Sequence, residues 1–574
     1  MTEAAQTSTT KTRKRKYTHR ARTGCETCRI RRIKCDESPG SCRNCTSTGR
    51  RCEGYDLTRL PRRRSPLAVG GGGGGGVMTI MADLNTALPA RSSDERRCFD
   101  VFHTRTIPMF VSLFDSDVWR VVLQMSQSDP SVCHAVVAFS ALHEGTLGGK
   151  YQAHRPLHSR HCDFALEQYG RALGSLAGRL RSNDPQMRYV ALVCCIVFVL
   201  FELLNDNYSG VLVHLQNGVN MLANTAGGIE TARASIICGG IHPSGSNRPQ
   251  FEVALRRTFA HLDVQSAYFD RASPAMNIYP GYGDPVNLDD CPVWFDSLYG
   301  AKETLDPVLN NSFSIWRLSQ PILRNKDPSN GADAYADLLS EQHRMRTYLA
   351  RHIAAFDEFL THNPLVTERD IRSRDVILLH QLVIFMNIES CASLSEMIFD
   401  AWPAEWTEVV NLIDRIVTSA LAEFGPALPN VVVDLGITLP LCWVVLKCRD
   451  PVLRQRALDL LRLWPHSEGL HSTLFILNIG QQVSDIECEG MDPFTGVIPE
   501  EARIRTVNME RDKDRRRAKL VYSLSDPTAE DLVVRERWFY FEEGGAEQTY
   551  RPSGLRSRKK ASSEMSSSSS TPFY

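Results

Sequence analysis

The chain has 574 residues, too many for one ordinary domain and enough for a large buried core, and its 43% hydrophobic and 23% charged content is typical of soluble globular protein. Its net charge of zero hides an asymmetry: residues 1–64 hold 18 Lys and Arg against 6 Asp and Glu (+12), leaving 48 against 60 (−12) for the rest. A basic head on a mildly acidic body points to a polyanionic partner for the head alone.

Residues 1–24 are rich in Thr and cations with no apolar period, so they are expected to be a disordered arm. Lys11, Arg13, Lys14, Arg15 and Lys16 cluster in it, which suits a nuclear import signal, a phosphate-contacting arm, or both. This polar start is not a secretory signal.

The next stretch organises the chain. It reads Cys25-x2-Cys28-x6-Cys35-x6-Cys42-x2-Cys45-x6-Cys52, one spacing used twice. Thiolates at such intervals are metal ligands, and two tetrahedral zinc ions need eight ligand positions. Six thiolates fill eight positions only if two of them bridge both metals. A disulfide framework is the competing reading, and the lack of a secretory signal weighs against it. Arg29, Arg31, Arg32 and Lys34 lie between Cys28 and Cys35, with Ile30 and Ile33 spaced to share one face of a short helix. Six thiolates and two Zn2+ sum to about minus two, so part of this positive charge balances the metal cluster. The basic segment nevertheless continues on both sides of the knot.

This spacing, the Cys-x2-Cys-Arg-x-Arg-Arg-x-Lys-Cys opening and the basic flanks resemble the fungal six-cysteine binuclear zinc cluster, the DNA-binding module of a large family of fungal transcription factors. The resemblance covers residues 25–52. It implies two Zn2+ per chain, bridging roles for Cys25 and Cys42, and a short helix in the major groove of double-stranded DNA. It also implies that Arg31 and Arg32 read a CGG-like triplet, where lysine is the usual residue type. Arginine suits guanine, because its fork donates to O6 and N7 together. One departure stands out: the family's proline two places before the fourth cysteine is Gly40 here, with Pro39 one place earlier.

After Cys52, Arg59, Arg62, Arg63 and Arg64 are broken up by Pro61 and Pro66, a run suited to following the phosphate backbone. Gly70 to Gly76 is an unbroken glycine run and the clearest flexible linker in the chain. Residues 53–93 carry no sustained heptad, so no coiled coil is readable and a homodimer through that route is unsupported.

From Asp94 the pattern turns helical. Asp115-Ser116-Asp117 is placed to cap a helix with Val118, Val121, Val122 and Met125 on one face. Ser128 or Asp129 is placed to cap the next, with Pro130 in its first turn and Gly145 at its end. Tyr189 to Leu204 is the longest apolar run. It is too short to span a bilayer and carries Glu202, so a buried helix is expected and no membrane partner. The eleven cysteines outside the knot, such as Cys194 and Cys195, sit mostly in apolar surroundings and read as reduced core residues. The segments 97–110, 114–144 and 194–204 are similar to the fungal-specific transcription factor domain, in the variant called type 2. That resemblance runs over roughly residues 95–225 and implies an all-α regulatory region. Among the target classes it implies is control of biosynthetic gene clusters.

Further helices are expected over Glu252–Tyr268, Ala334–Asp357, Val376–Phe399, Glu405–Phe424 and Pro451–Trp464, with loops at 280–306 and 425–440. Residues 496–524 read equally as a capped helix or as strands, and residues 535–545 as a strand or an acidic-aromatic activating patch. The tail, with Arg558, Lys559, Lys560 and a serine run, reads as disordered.

No catalytic constellation competes. His143-Glu144 starts like a zincin helix, but no second histidine follows in place, and there is no nucleophile elbow, P-loop or dinucleotide fingerprint. The resulting division is a basic arm (1–24), a zinc cluster (25–52), an Arg/Pro and poly-Gly linker (53–93), a helical regulatory domain (94–480), its C-terminal part (481–550) and a tail (551–574). The function expected is a non-enzymatic, nuclear, zinc-dependent and sequence-specific regulator of RNA polymerase II transcription, working with transcription machinery or co-regulators. The alternative is a nuclear interaction protein whose zinc cluster is structural only.

Overall fold

In the computed structural model the described residues are 26–31, 33, 35–36, 42–50, 52, 92–146, 160–180, 186–205, 207–223, 250–267, 288, 293–324, 328–469, 471–511, 517–526 and 533–540. The expectations for the basic arm, the arginine run at 59–64, the glycine linker and the C-terminal tail lie outside them. The chain divides into two units, Met1–Thr86 and Ala87–Tyr574. Among the described residues the first holds two short helices, α1 (Glu26–Ile30) and α2 (Arg43–Thr46).

The second unit opens with α3 (Ser93–Val101), nucleated by a capping box: the Ser92 hydroxyl accepts the Glu95 N–H while the Glu95 carboxylate accepts the Ser92 N–H. A single π-helical turn, Phe102–Thr106, leads into α4 (Ile107–Phe110). Then come α5 (Val118–Ser128) and α6 (Pro130–Glu144). Asp129 caps α6 through the N–H groups of Ser131 and Val132, as its position before Pro130 foretells. Asp117 precedes α5 in the cap position, but its carboxylate takes the Arg120 guanidinium at 2.8 Å instead of a backbone N–H.

The apolar run forms α8 (Met187–Leu204), which follows α7 (Arg160–Arg179) and packs against α6 and α9 (Tyr208–Ala223). It is long and apolar enough to cross a bilayer, but 78% of it is buried inside the protein. Its one carboxylate, Glu202, is satisfied internally by the Tyr169 hydroxyl at 2.7 Å and the Asn207 amide at 2.8 Å. With α10 (Gln250–Ala267), these helices enclose a first core that includes Phe102, Phe139, Phe198 and Phe259.

The C-terminal half contains α11 (Leu298–Arg324), α12 (Pro328–His362), α13 (Glu368–Ser390) and α14 (Pro403–Phe424). After these come β1 (Val431–Val432), α15 (Thr438–Lys447), α16 (Pro451–Leu463), β2 (Ser467–Glu468), β3 (His471–Ser472) and α17 (Thr473–Glu489). β1 pairs parallel to β2, and β2 antiparallel to β3. The body ends in an antiparallel sheet of β4 (Ile504–Arg511), β5 (Arg517–Leu524) and β6 (Val534–Tyr540). Residues 496–524 are therefore largely strand, and β6 occupies most of the acidic-aromatic patch. The region is predominantly helical, with this sheet as its one substantial departure among the described residues. A second core forms here around Phe356, Phe399, Trp406, Trp443 and Leu520.

The segment from β1 to α15 is a common wall. Val431 and Val433 enter the first core, while Val432, Leu435 and Ile437 enter the second. At its end Glu468, almost completely buried, accepts the N–H groups of Gly436, Ile437 and Thr438 at 2.8–2.9 Å, with His466 Nε2 also at 2.9 Å. Burial alone would raise this carboxyl. The hydrogen bond and charge of His466, with the Thr438 and Gly436 N–H groups, outweigh it and hold the group at about 2. A Cβ on Gly436 would sit 2.5 Å from Leu113 and 2.9 Å from the Glu468 carboxylate, so only glycine allows this approach.

Candidate metal centre and nucleic-acid interface

The knot is built from two copies of one backbone turn. The Ile33 N–H bonds the Cys28 carbonyl at 3.1 Å, and 17 residues on the Arg50 N–H bonds the Cys45 carbonyl at 3.0 Å. Each copy follows a Cys-x2-Cys pair, so the duplicated spacing becomes a duplicated fold. The Asp36 carboxylate accepts the Arg43 N–H at 3.1 Å at the start of α2, and Gly49 takes φ +64° where the second turn reverses.

These turns gather the thiols. Cys28, Cys42 and Cys45 are completely buried, Cys35 is buried, and Cys52 is half-buried. Cys28, Cys35 and Cys42 bring their sulfurs within 4.8 Å of one another, and so do Cys42, Cys45 and Cys52. Cys42 belongs to both groups, and it is one of the two positions for which the family resemblance implies a bridging sulfur. Cys28 Sγ lies 3.5 Å from Cys42 Sγ and 3.8 Å from Cys45 Sγ. Zinc–thiolate bonds of about 2.3 Å in a tetrahedron place two sulfurs on one metal about 3.8 Å apart, close to the 3.5 Å between Cys28 and Cys42, which share a group. None of the five described cysteines of the knot is in a disulfide. Cys25, the other expected bridge, lies outside the described residues, as do Pro39 and Gly40.

Of the four cations expected to face DNA, Arg31 has a described side chain; Arg32 and Lys34 lie outside the described residues, and Arg29 is described in backbone only, within α1. Arg31 is half-buried, and its Nη1 donates to the Asn44 carbonyl at 3.4 Å and the Thr48 hydroxyl at 3.2 Å. Ile30 and Ile33 do not share a helix face, because α1 stops at Ile30. Both are on the surface, 71% and 42% exposed, and not in a core. Asn44 and Thr48 are the contacts that sequence reasoning missed; the only signal for them was the 17-residue offset, which pairs Arg31 with Thr48.

Elsewhere the zincin-like His143 is a core residue. Its ring nitrogens meet the Thr106 hydroxyl at 2.8 Å and the Asn430 side-chain oxygen at 2.6 Å. His134 pairs with Gln168 at 2.7 Å. Burial pushes the Cys195 thiol up to about 12 and holds Cys194 well above the ordinary thiol value, so both are inert core thiols, as expected.

Comparison with known proteins follows the same outline. The fungal Zn(2)-Cys(6) binuclear cluster domain matches residues 23–62, and the fungal specific transcription factor domain matches residues 97–301, further than the 95–225 legible by eye. The chain is 25% identical over 362 residues to the aspercryptin biosynthesis cluster-specific transcription regulator atnN of Emericella nidulans, covering 60% of this chain and 55% of that protein. It is 32% identical over 200 residues to the transcription regulator lscL of Purpureocillium lilacinum, covering 34% and 47%. The matched region thus spans about half the length of these curated relatives. Over 93 residues it is 41% identical to sterol uptake control protein 2 of Saccharomyces cerevisiae, covering 16% of this chain and 10% of that protein. No solved structure matches the chain.

Proposed function

We propose that this chain, whose residues 23–62 match the fungal Zn(2)-Cys(6) binuclear cluster domain and residues 97–301 the fungal specific transcription factor domain, is a fungal zinc-cluster regulator: a nuclear, sequence-specific DNA-binding regulator of RNA polymerase II transcription whose cluster domain binds two zinc ions. Cys25, Cys28, Cys35, Cys42, Cys45 and Cys52 hold the two zinc ions, with Cys25 and Cys42 bridging. Zinc binding drives folding of this segment, since so few residues bury almost no apolar core of their own. The folded knot presents Arg29, Arg31, Arg32 and Lys34 to the major groove, where Arg31 and Arg32 read guanines of a CGG-like triplet. Lys11, Arg13, Lys14, Arg15, Lys16, Arg62, Arg63 and Arg64 contribute phosphate contacts and nuclear import. The helical body recruits co-regulators. Control of a biosynthetic gene cluster is the target class that the printed name of the Emericella nidulans relative supports.

The observation that carries this reading is the membership of Cys42 in both sulfur groups, which is what two metals shared among six thiolates require. The experiment is selection of bound sites from a random DNA pool by the zinc-loaded chain, followed by Arg32→Ala. A selected triplet containing guanine is expected, with discrimination at one guanine reduced by about 1–3 kcal/mol in the variant. Lys14→Ala is expected to weaken all DNA alike and flatten the salt dependence by about one unit of slope. Arg31's hydrogen bonds back onto the knot favour a second reading, in which the cluster is structural and the protein reads no bases. Random pool sequences after selection would establish that alternative.

A further inference from the structure

Superposing the two half-sites by their offset of 17 residues makes Thr48 the counterpart of Arg31 and Asn44 the counterpart of Thr27. Arg31 is three residues past the second cysteine of its pair, and Thr48 is three past the second cysteine of its own. The guanidinium of one half therefore reaches across to the residue that occupies its own place in the other half, at 3.2 Å, and to the Asn44 carbonyl at 3.4 Å. A second long cation at position 48 would repel it; a threonine leaves room and supplies an acceptor. The Thr48 hydroxyl is itself fixed, within 2.8 Å of the Asn44 carbonyl and 3.1 Å of the Cys45 carbonyl, so its lone pairs are presented to Arg31.

We propose that Thr48 is a specificity-tuning residue: it latches Arg31 against the second half-site in the free chain, and reading of a guanine requires the latch to open. This rests on the proposed role of Arg31 in base reading. Both contacts are long, 3.2 and 3.4 Å, and the Thr48 end is exposed to water, so the hold is modest despite the charged donor, about two- to tenfold in an equilibrium constant. A guanine that offers O6 and N7 to both prongs of the fork outcompetes it, whereas a base that accepts only one bond does not. The latch thus subtracts from every complex that needs Arg31, and weak sites fall below the threshold first.

The test is a double-mutant cycle on the full, zinc-loaded chain, with binding measured to its pool-selected site, to the same site with one guanine replaced, and to random DNA. Thr48→Val is expected to tighten binding to the selected site two- to tenfold, leave random DNA unchanged and keep two zinc ions. Thr48→Ser should match the parent. In an Arg31→Ala background, Thr48→Val should change nothing. Persistence of its effect there, or an unchanged affinity in the parent background, overturns the latch. Arg31→Ala alone judges the underlying reading: equal losses on selected and random DNA would assign Arg31 to phosphate and remove the basis for the latch. Should Thr48→Val lose zinc, NMR of the Arg31 guanidinium in the parent chain decides: a held group in the free chain that changes partners on DNA supports the latch, and a freely rotating one refutes it.

Discussion

The shared position of Cys42 has a measurable cost. Structural zinc sites are worth about 10–16 kcal/mol, so each of four ligands carries about 3 kcal/mol on average, or about 100-fold in affinity. Cys52 belongs to one sulfur group and Cys42 to both. Cys52→Ala should therefore weaken one site by about 100-fold and leave the other close to intact. Cys42→Ala should weaken both, about 10,000-fold on the product of the two binding constants. Native mass spectrometry against a competing chelator reads this directly. At a chelator level where the parent keeps two metals, Cys52→Ala should hold one and Cys42→Ala none. Equal metal content in the two variants would refute a shared sulfur at Cys42.

Two expectations concern the body. Glu468 is held at about 2, against an ordinary value of 4.5, by the bonds and charge that outweigh its burial. A depressed carboxyl stabilises the fold fully above its unfolded value and loses that contribution as pH falls through its folded one. Glu468→Gln should thus lower stability at pH 7 by about 3 kcal/mol in urea titrations, with the gap from the parent closing between pH 4.5 and 2; a gap independent of pH would contradict the assignment. Glu396, fully buried, is shared by Lys447 at 3.0 Å, Arg449 at 3.2 Å and Arg505 at 3.2 Å. Burial already lowers the Lys447 ammonium to about 8 despite that carboxylate. Glu396→Gln takes the carboxylate from Lys447 and Arg505, while Arg449 keeps Glu487 at 2.8 Å; it should cost about 3–5 kcal/mol, far more than Lys447→Met, and comparable losses would mean the cluster is not organised around Glu396.

What the sequence disclosed follows the range of the interactions. Asp129, Pro130 and Gly145 act within one turn, and their helix was readable, with only the choice between Ser128 and Asp129 as its cap left for the structure to make. The apolar run around Cys194 declared a buried helix through composition alone. α11 was missed because Pro307 and Pro321 lie inside it, and its start fell in a stretch read as loop. α13 starts earlier than apolar periodicity suggests, because the Thr367–Asp370 capping box sets its beginning. The sheet was ambiguous because Arg503 and Arg505, both almost fully buried, stand where a core strand would carry apolar side chains. Their partners, Asp400 and Glu396, are more than a hundred residues away, and Arg505 sits at a register shift in β4. In the knot, spacing disclosed the thiolates but not the Arg31–Thr48 contact, which exists only once the two halves face each other.

The wall formed by residues 431–437 has a consequence for how the body melts. A segment whose side chains are divided between two interiors cannot peel away from one without withdrawing from the other. The halves on either side should therefore lose structure in one cooperative transition, and truncating Val432 should lower the melting temperature of both together.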